Sequence, residues 1–407
     1  MGLWLRFVRT AGPLSNQSDK NSNTGTGNRG CGLYLHIPFC LRKCLYCSFF
    51  SVPGGSDTFV RYCSAAQRQV QQFARLVREA GKEVRTIFFG GGTPSVLPVS
   101  LLLKLLQSCR RSFGIQHNNL EISLEVNPAT VNQDDLSQLF HAGFNRLSIG
   151  VQSFGDEYLR MLGRPHTAAE ARDAFIMARK AGFSNISLDL MYGLPGQTLF
   201  AWQETLGIAL ALEPDHLSIY ELTIEKETVF GDMQEQGKLI LPEEDVVLRM
   251  MKATQEETAQ KGFHRYEISN YARPGKECLH NINYWQNGSY IGIGAGAVSC
   301  LSGRRFSNIS NVEEYCRKIE TGGSPIGDME ELDHEARYRE TVVMGLRMTR
   351  GISISWLESR FGLNAADYYG GILKHLQNDD LLAMEGDFLM LTERGLKLAN
   401  RVMAELV

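Results

Sequence analysis

The sequence predicts an α/β protein: a mainly parallel sheet of six β/α repeats, followed by a smaller helical module with a winged-helix-like pattern. Three observations predict it. From Leu33 onward six short β-type runs, "LYLHI", "RTIFFGG", "LEISLEV", "NRLSIGV", "NISLDLMYG" and "HLSIYELTI", alternate with longer amphipathic segments, which is how parallel strands joined by helical crossovers read. At 407 residues the chain exceeds the size at which one hydrophobic core stops growing, so a second unit is expected. From about residue 327, three helical patterns precede the short strands "LLAMEG" and "DFLMLT", which meet at a glycine-containing turn before the helical "ERGLKLANRVMAEL".

The repeats fit either an open doubly wound sheet or a partial barrel, and periodicity does not choose between them. Both geometries place functional residues at the C-terminal edge of the strands. The chain divides on this reading into a disordered leader over 1–30, the repeat domain over 31–270, an aromatic and glycine-rich connecting segment over 271–326, and the C-terminal module over 327–407. The leader contains an interrupted apolar stretch and then a polar Gly/Asn/Ser/Thr tract that cannot bury a core. Arg6 and Arg9 precede any acidic residue, so a mitochondrial or other organelle presequence is the rival reading.

Composition excludes several functions. No run of about 18 apolar residues offers a membrane span. The formal net charge of -3 gives no general attraction to polyanions, and the C-terminal module is not enriched in Lys or Arg, so partner docking is expected of it rather than nucleic-acid binding. Nine cysteines, an odd count without a secretory signal, suggest a reducing compartment, hence a cytoplasmic protein with free thiols.

Three of those thiols crowd into "CLRKCLYC". Cys40, Cys44 and Cys47 lie on the loop after the first strand, and spacings of four and three residues turn the chain back toward one centre. A zinc site and three unrelated buried cysteines are the alternatives. Zinc wants a fourth ligand and usually a second distant pair, which Cys63, Cys109, Cys278, Cys300 and Cys316 do not form. Three protein thiolates on a four-iron cubane leave one iron open, and an open coordination position is where a metal centre does chemistry.

Other residues gather at predicted strand ends. "FFGGGTPS" ends a strand with Gly90, Gly91 and Gly92, which let backbone approach a ligand closely. It has neither the GK[ST] ending of a phosphate loop nor the GxGxxG of a dinucleotide fold. Glu125 in "LEVNP", Gln152 in "GVQSF", Arg164 in "LGRPH" and Asp189 in "LDLMYGLP" share this placement and are expected to converge on one pocket.

The Cx3CxxC loop after a first strand resembles the radical S-adenosylmethionine (SAM) superfamily. The resemblance implies a partial (β/α)6 barrel, a 4Fe-4S cluster on Cys40, Cys44 and Cys47, and SAM chelating the open iron. It further implies a cofactor-binding set of Tyr34, Tyr46, Gly91, Gly92, Thr93, Glu125, Gln152, Arg164, Asp189 and Val298, in which Glu125 and Asp189 complement the positive sulfonium and ammonium groups.

The order "YLHIPFC…GGGTPS…LEVNP…GVQSF…DLMYGLP", over about residues 33–400, resembles the oxygen-independent coproporphyrinogen III dehydrogenase family and its relative, the HemW-type haem chaperone branch. Phe49 stands where the dehydrogenases carry a further cysteine, and "HNINYW", His280 to Trp285, matches the HNxxYW motif of the chaperone branch. The chaperone reading implies haem as a third ligand, an acceptor protein of unspecified identity, a respiratory membrane protein being one such class, and no nucleic acid. His280 is then a haem contact, since neutral imidazole is a common axial ligand and Tyr284 and Trp285 offer flat apolar surface. Cys278 is a rival ligand, and a hydrogen-bonded loop histidine packed by two aromatics is the structural alternative. Leu45, Ser48 and Val298 depart from the branch pattern, Val298 replacing a usual histidine. The alternative function is radical oxidative decarboxylation of coproporphyrinogen III, and a purely structural iron–sulfur scaffold is the third reading. No catalytic residue is assigned.

Overall fold

The structure, a computed structural model, describes residues 29–116 and 120–407. The leader over 1–30 therefore falls outside the described residues except for its last two.

Six parallel strands run in chain order: β1 (Gly30–Ile37), β2 (Glu83–Gly91), β3 (Glu121–Val126), β4 (Arg146–Gln152), β5 (Ile186–Tyr192) and β6 (His216–Glu221). They are joined by the helices α1 (Ser56–Glu79), α2 (Val99–Ser112), α3 (Gln133–Ala142), α4 (Asp156–Met161), α5 (Ala168–Lys180) and α6 (Leu199–Ala211). Period-two alternation explains the layering. Leu33, Leu35, Ile37, Ile87, Phe89, Leu124, Leu147, Ile149, Leu188 and Leu217 lie in the core beneath the helices. Against them α1 turns Tyr62, Ala66, Val70, Phe73 and Val77, a stripe at helical spacing.

The other face of the same strands is polar. It carries Tyr34 and His36, Ser123 and Glu125, Ser148, Ser187 and Asp189, and Ser218. A barrel interior is ordinarily filled by branched apolar side chains, so a polar interior marks this face for binding. Local signals hold the crossovers in place: Asn132 caps α3, Thr167 and Glu170 form a capping box on α5, and Thr198 caps α6.

The sheet does not close. Beyond β6, after α7 (Val229–Glu235) and α8 (Glu244–Gln260), it continues antiparallel through β8 (Asn270–Ala272) to β7 (His264–Arg265). Its other side grows from residues 271–331: after α9 (Leu279–Trp285), β9 (Ser289–Ile293) pairs parallel with β1, and β10 (Val298–Leu301), β11 (Arg304–Asn308) and β12 (Ile326–Glu331) follow antiparallel, with α10 (Val312–Glu320) between the last two. The result is a partial barrel within a twelve-stranded sheet.

A second core, containing Tyr338, Val342, Leu357, Leu376, Leu389 and Val402, belongs to the C-terminal region. There α11 (His334–Gly345), α12 (Ile354–Phe361), α13 (Ala365–Tyr369), α14 (Gly371–Asn378), α15 (Glu393–Lys397) and α16 (Ala399–Glu405) surround a small sheet of β13 (Ile352–Ser353), β14 (Leu382–Glu385) and β15 (Phe388–Leu391). It is latched to the barrel by backbone pairing, Ile268 N–H donating to Arg347 O at 3.1 Å and Thr349 N–H to Tyr266 O at 3.1 Å. No helix among the described residues is long and apolar enough to cross a membrane.

Candidate cofactor site at the strand C-terminal edge

The cysteine loop leaves the C-terminal end of β1 and is held at several points. Cys40 N–H donates to Val52 O, Val52 N–H to Pro38 O, and Leu45 N–H to Leu162 O. Phe39, fully buried, packs against Phe59 and Tyr62 at 4.9 and 5.2 Å between ring centres. The loop is thus anchored while Cys40, Cys44 and Cys47 stay half-buried and free of disulfides.

The glycines at the end of β2 serve that loop directly. A Cβ on Gly92 would lie 2.9 Å from Cys40 Sγ and 2.7 Å from Phe39 O, and Gly91 holds a φ of +125°, where its Cβ would meet His36 Nδ1 at 2.7 Å. Both approaches are closer than a side chain tolerates. At Gly92 the missing Cβ makes room for the cysteine loop itself. Thr93 follows with its hydroxyl 3.5 Å from Cys40 Sγ.

Arg164 approaches from the far side of the site. Its Nη1 donates to Cys44 Sγ at 3.5 Å and its Nη2 to Gly150 O at 2.6 Å, while Nε is buried without a partner among the described residues. Gly150 belongs to a register shift in β4 that ends on Gln152, whose φ of +67° is uncommon for a residue with a side chain. Tyr46 lies beside Arg164 and Cys44.

The two acids sit deeper. Glu125 accepts from Gly91 N–H at 3.1 Å, and burial, then the nearby Asp189, pushes its pKa up to about 8. Asp189 accepts from Ser148 Oγ at 2.8 and 3.0 Å and from Ser187 Oγ at 3.2 Å. Its pKa is also raised, by burial working against those hydroxyls and Ser218. Two carboxyls with raised pKa values, together with Arg164 Nε and the buried Ser123 Oγ, which have no hydrogen-bond partner among the described residues, fit a ligand bearing cationic groups and hydrogen-bonding oxygens. Among the described residues no three His, Cys, Asp or Glu side chains converge closely enough to hold a single metal ion. Three half-buried thiols free of disulfides on one loop are the donor set that an iron–sulfur cluster uses.

Some residues escaped the sequence reading. His36 donates from Nε2 to Phe50 O at 3.3 Å, which leaves Nδ1 to accept from Tyr34 OH at 3.1 Å. Burial lowers its pKa to about 4, so it is neutral at physiological pH. Its place two residues after Tyr34 in "LYLHI" was the available signal, as was the serine recurring in "EISLEV", "RLSIGV", "ISLDL" and "LSIYE".

The structure does not bring His280 to this edge. It sits on α9 beside Gly32 near the start of β1, where an added Cβ would lie 3.1 Å from the His280 ring. Its Nδ1 is 2.7 Å from Thr86 Oγ1 and its Nε2 3.1 Å from Tyr284 OH. The ring is 1% exposed and stacks on Phe88 at 5.1 Å, and burial lowers its pKa to about 3. In this conformation neither nitrogen is open to a haem iron. Cys278, the rival ligand, is buried beside Glu121, with Sγ 3.6 Å from Oε1, while Glu121 accepts the Leu279 and His280 N–H groups, each at 2.9 Å. Val298, by contrast, lies on the cysteine-loop side, because β9 is parallel to β1 and ends beside it. There a Cβ on Gly296 would lie 3.3 Å from Phe50.

Comparison with known proteins extends this geometry. The family model described as the radical SAM superfamily matches residues 34–208, and the model of the HemN C-terminal domain matches 332–398. The heme chaperone HemW of Bacillus subtilis is 36% identical over 370 residues, 91% of this chain and 97% of its own. The zebrafish protein named radical S-adenosyl methionine domain-containing protein 1, mitochondrial, is 33% identical over 96% of this chain and 88% of its own. Among solved structures, coproporphyrinogen III oxidase (HemN) from Escherichia coli, a radical SAM enzyme, superposes with a TM-score of 0.81 at 26% identity, covering 93% of this chain and 90% of that one.

Proposed function

The chain belongs to the radical SAM superfamily, in the group of the HemW heme chaperones, and from that premise we propose that it binds haem and transfers it to an acceptor protein. It carries a 4Fe-4S cluster on Cys40, Cys44 and Cys47, with SAM at the remaining iron. The observation that carries the reading is the end-to-end similarity to HemW proteins, joined by Phe49 and HNINYW in the sequence.

When bound and reduced, such a cluster supplies an electron that cleaves the sulfonium C–S bond of SAM. The chain's own residues prepare the site. Arg164 donates to the Cys44 sulfur and the Thr93 hydroxyl lies beside the Cys40 sulfur, so both sulfurs have polar neighbours that hold them in place. Glu125 and Asp189 offer negative charge to the sulfonium and ammonium groups, with three serines fixing the Asp189 carboxylate. Tyr34, Tyr46, Gly91, Gly92, Gln152 and Val298 complete the contact set.

His280 acts in haem binding only if the Thr86–His280–Tyr284 hydrogen bonds open. Otherwise haem is held nearer the cysteine-loop edge, where Leu41 and Phe49 are 62% and 49% exposed, and HNINYW is a packing motif. The module over 327–407 docks the acceptor. The protein works in the cytoplasm or, as the zebrafish relative's name suggests, in the mitochondrion; fusing residues 1–30 to a fluorescent reporter distinguishes the two.

The deciding experiment is anaerobic reconstitution followed by haem titration with and without SAM, read at the Soret band, and a decarboxylation assay with coproporphyrinogen III on the same sample. Saturable haem binding without decarboxylation is expected. Turnover would favour the second reading, a coproporphyrinogen dehydrogenase, for which the likeness to HemN speaks. Absence of any Soret change would remove the haem reading.

A further inference from the structure

Away from the cysteine loop, at the seam between the barrel sheet and the C-terminal region, lies a cavity of about 160 Å³. Its walls come from both units. Lys82 lies just before β2, Ser289 and Cys300 on β9 and β10, and Arg337, Glu340 and Arg360 on α11 and α12 of the C-terminal region. Two tight turns frame it, Asn287–Gly288 and Ser302–Gly303, with left-handed backbone at Asn287, Ser302 and Gly303.

The charges do not balance. Among the described residues Glu340 is the only carboxylate lining the cavity, and it is already engaged: Arg305 ion-pairs with one oxygen and Asn287 Nδ2 donates to the other at 3.2 Å. Opposite it, Arg337 and Arg360 have no ion-pair partner among the described residues. Arg360 is held by Asn287 O at 3.2 Å and by the rings of Trp356 and Phe361 at 5.0 and 5.1 Å. Arg337 lies over the Ser302–Gly303 turn, where a Cβ on Gly303 would come within 3.1 Å of its Cζ. Burial, and then the neighbouring Arg337, lowers the pKa of Arg360, as expected of two like charges kept close.

We infer that this seam is a binding site for a small phosphate-type dianion, held by Arg337 and Arg360 with the Ser289 and Ser302 hydroxyls beside it. Guanidinium forks match tetrahedral oxyanions, and their contacts are charge-assisted. The volume sets the ligand's size, because pockets for drug-sized molecules begin at about 300 Å³. A haem macrocycle is excluded, whereas free phosphate or the phosphate group of a monoester fits. The site lies where α9 passes through Asn287–Gly288 into β9, so its occupant would brace the C-terminal region against the segment carrying HNINYW. The inference does not depend on haem binding.

The test is calorimetric titration of the full-length, cluster-loaded protein with inorganic phosphate and, separately, with glycerol 3-phosphate, in phosphate-free buffer of constant ionic strength set by chloride. One saturable site with a dissociation constant of about 0.1–1 mM is expected. Tighter binding of inorganic phosphate assigns the site to the free ion, and tighter binding of glycerol 3-phosphate to a monoester. R337Q/R360Q should weaken binding by about tenfold or more, the scale of one lost charge-assisted contact, with an unchanged circular dichroism spectrum. Should the double variant fail to fold, R360Q alone decides, because it leaves Arg337 and the Arg305–Glu340 pair in place. Heats that do not saturate by about 10 mM, or a folded variant that binds as the parent does, overturn the inference.

Discussion

The two ends of β1 use similar residues to opposite effect. At its start, His280, Thr86, Tyr284 and Glu121 form a closed set: both imidazole nitrogens have hydroxyl neighbours and both Glu121 oxygens accept backbone N–H groups. At its end, Cys40, Cys44, Arg164 and Glu125 form an open set, with half-buried thiols, a guanidinium nitrogen that has no partner among the described residues and a carboxyl whose pKa is far above its ordinary value. A satisfied buried network specifies and stabilises a fold, whereas an unsatisfied one is kept for a ligand. The comparison teaches that the state of the hydrogen bonds, rather than residue type, separates the two roles.

The largest effect that would sharpen this contrast is loss of the cluster. Replacing Cys40, Cys44 or Cys47 by alanine should each abolish the iron–sulfur absorbance of the reconstituted protein, and its retention in any one variant removes that residue from the ligand set. At the closed end, His280→Ala should destabilise the protein by about 2–4 kcal/mol in urea unfolding, because a buried ring is lost and two hydroxyls lose their partner. If haem affinity falls while stability does not, the closed end is a binding site after all and the contrast breaks.

Smaller effects probe the fit of the open end. Gly92→Ala drives a methyl group into Phe39 O and Cys40 Sγ and should cost about 1–3 kcal/mol, the scale of an overpacked site, together with part of the iron content. Glu125 gives a pH signature. Its folded pKa of about 8 lies above the unfolded value near 4.5, so the folded state keeps the proton longer. The group's contribution to the stability of the cofactor-free protein is complete below the unfolded value and is lost as pH rises through about 8. SAM, being cationic, favours the ionised carboxyl, so its affinity should rise with pH by at most about tenfold per unit until pH 8 and then level off. Equilibrium dialysis across that range checks it, and Glu125→Gln should flatten the profile.

The smallest expected effect is at the branch marker. Phe49 is half exposed, so Phe49→Cys should change stability by no more than about 0.5 kcal/mol. It should confer no decarboxylation of coproporphyrinogen III, as measured by product analysis; if turnover appears, that single position separates the two activities.

Much of the open end was legible in the sequence because its signals are local. Cx3CxxC, the glycine run and the strand-end acids each lie within a few residues of their own strand, and Tyr34, Glu125 and Asp189 lie on strands read correctly. The partnership of Arg164 with Cys44, 120 residues apart, was legible only as a shared strand-edge position. HNINYW gave the opposite lesson: its residues fit haem ligation and aromatic packing equally well, and nothing within the motif says which end of the barrel it meets.

By itself the sequence determined the order of six strands and the spacing of the three thiols, since side-chain periodicity and ligand spacing are properties of short stretches of chain. Tertiary structure alone decided that β9, more than two hundred residues after β1, joins it in parallel, and with that pairing the fates of two candidates. The loop before Val298 arrives beside the cysteines, and His280 is sealed at the other end. Strand pairing and burial depend on which distant segments exclude water together, and that information is spread over the whole chain.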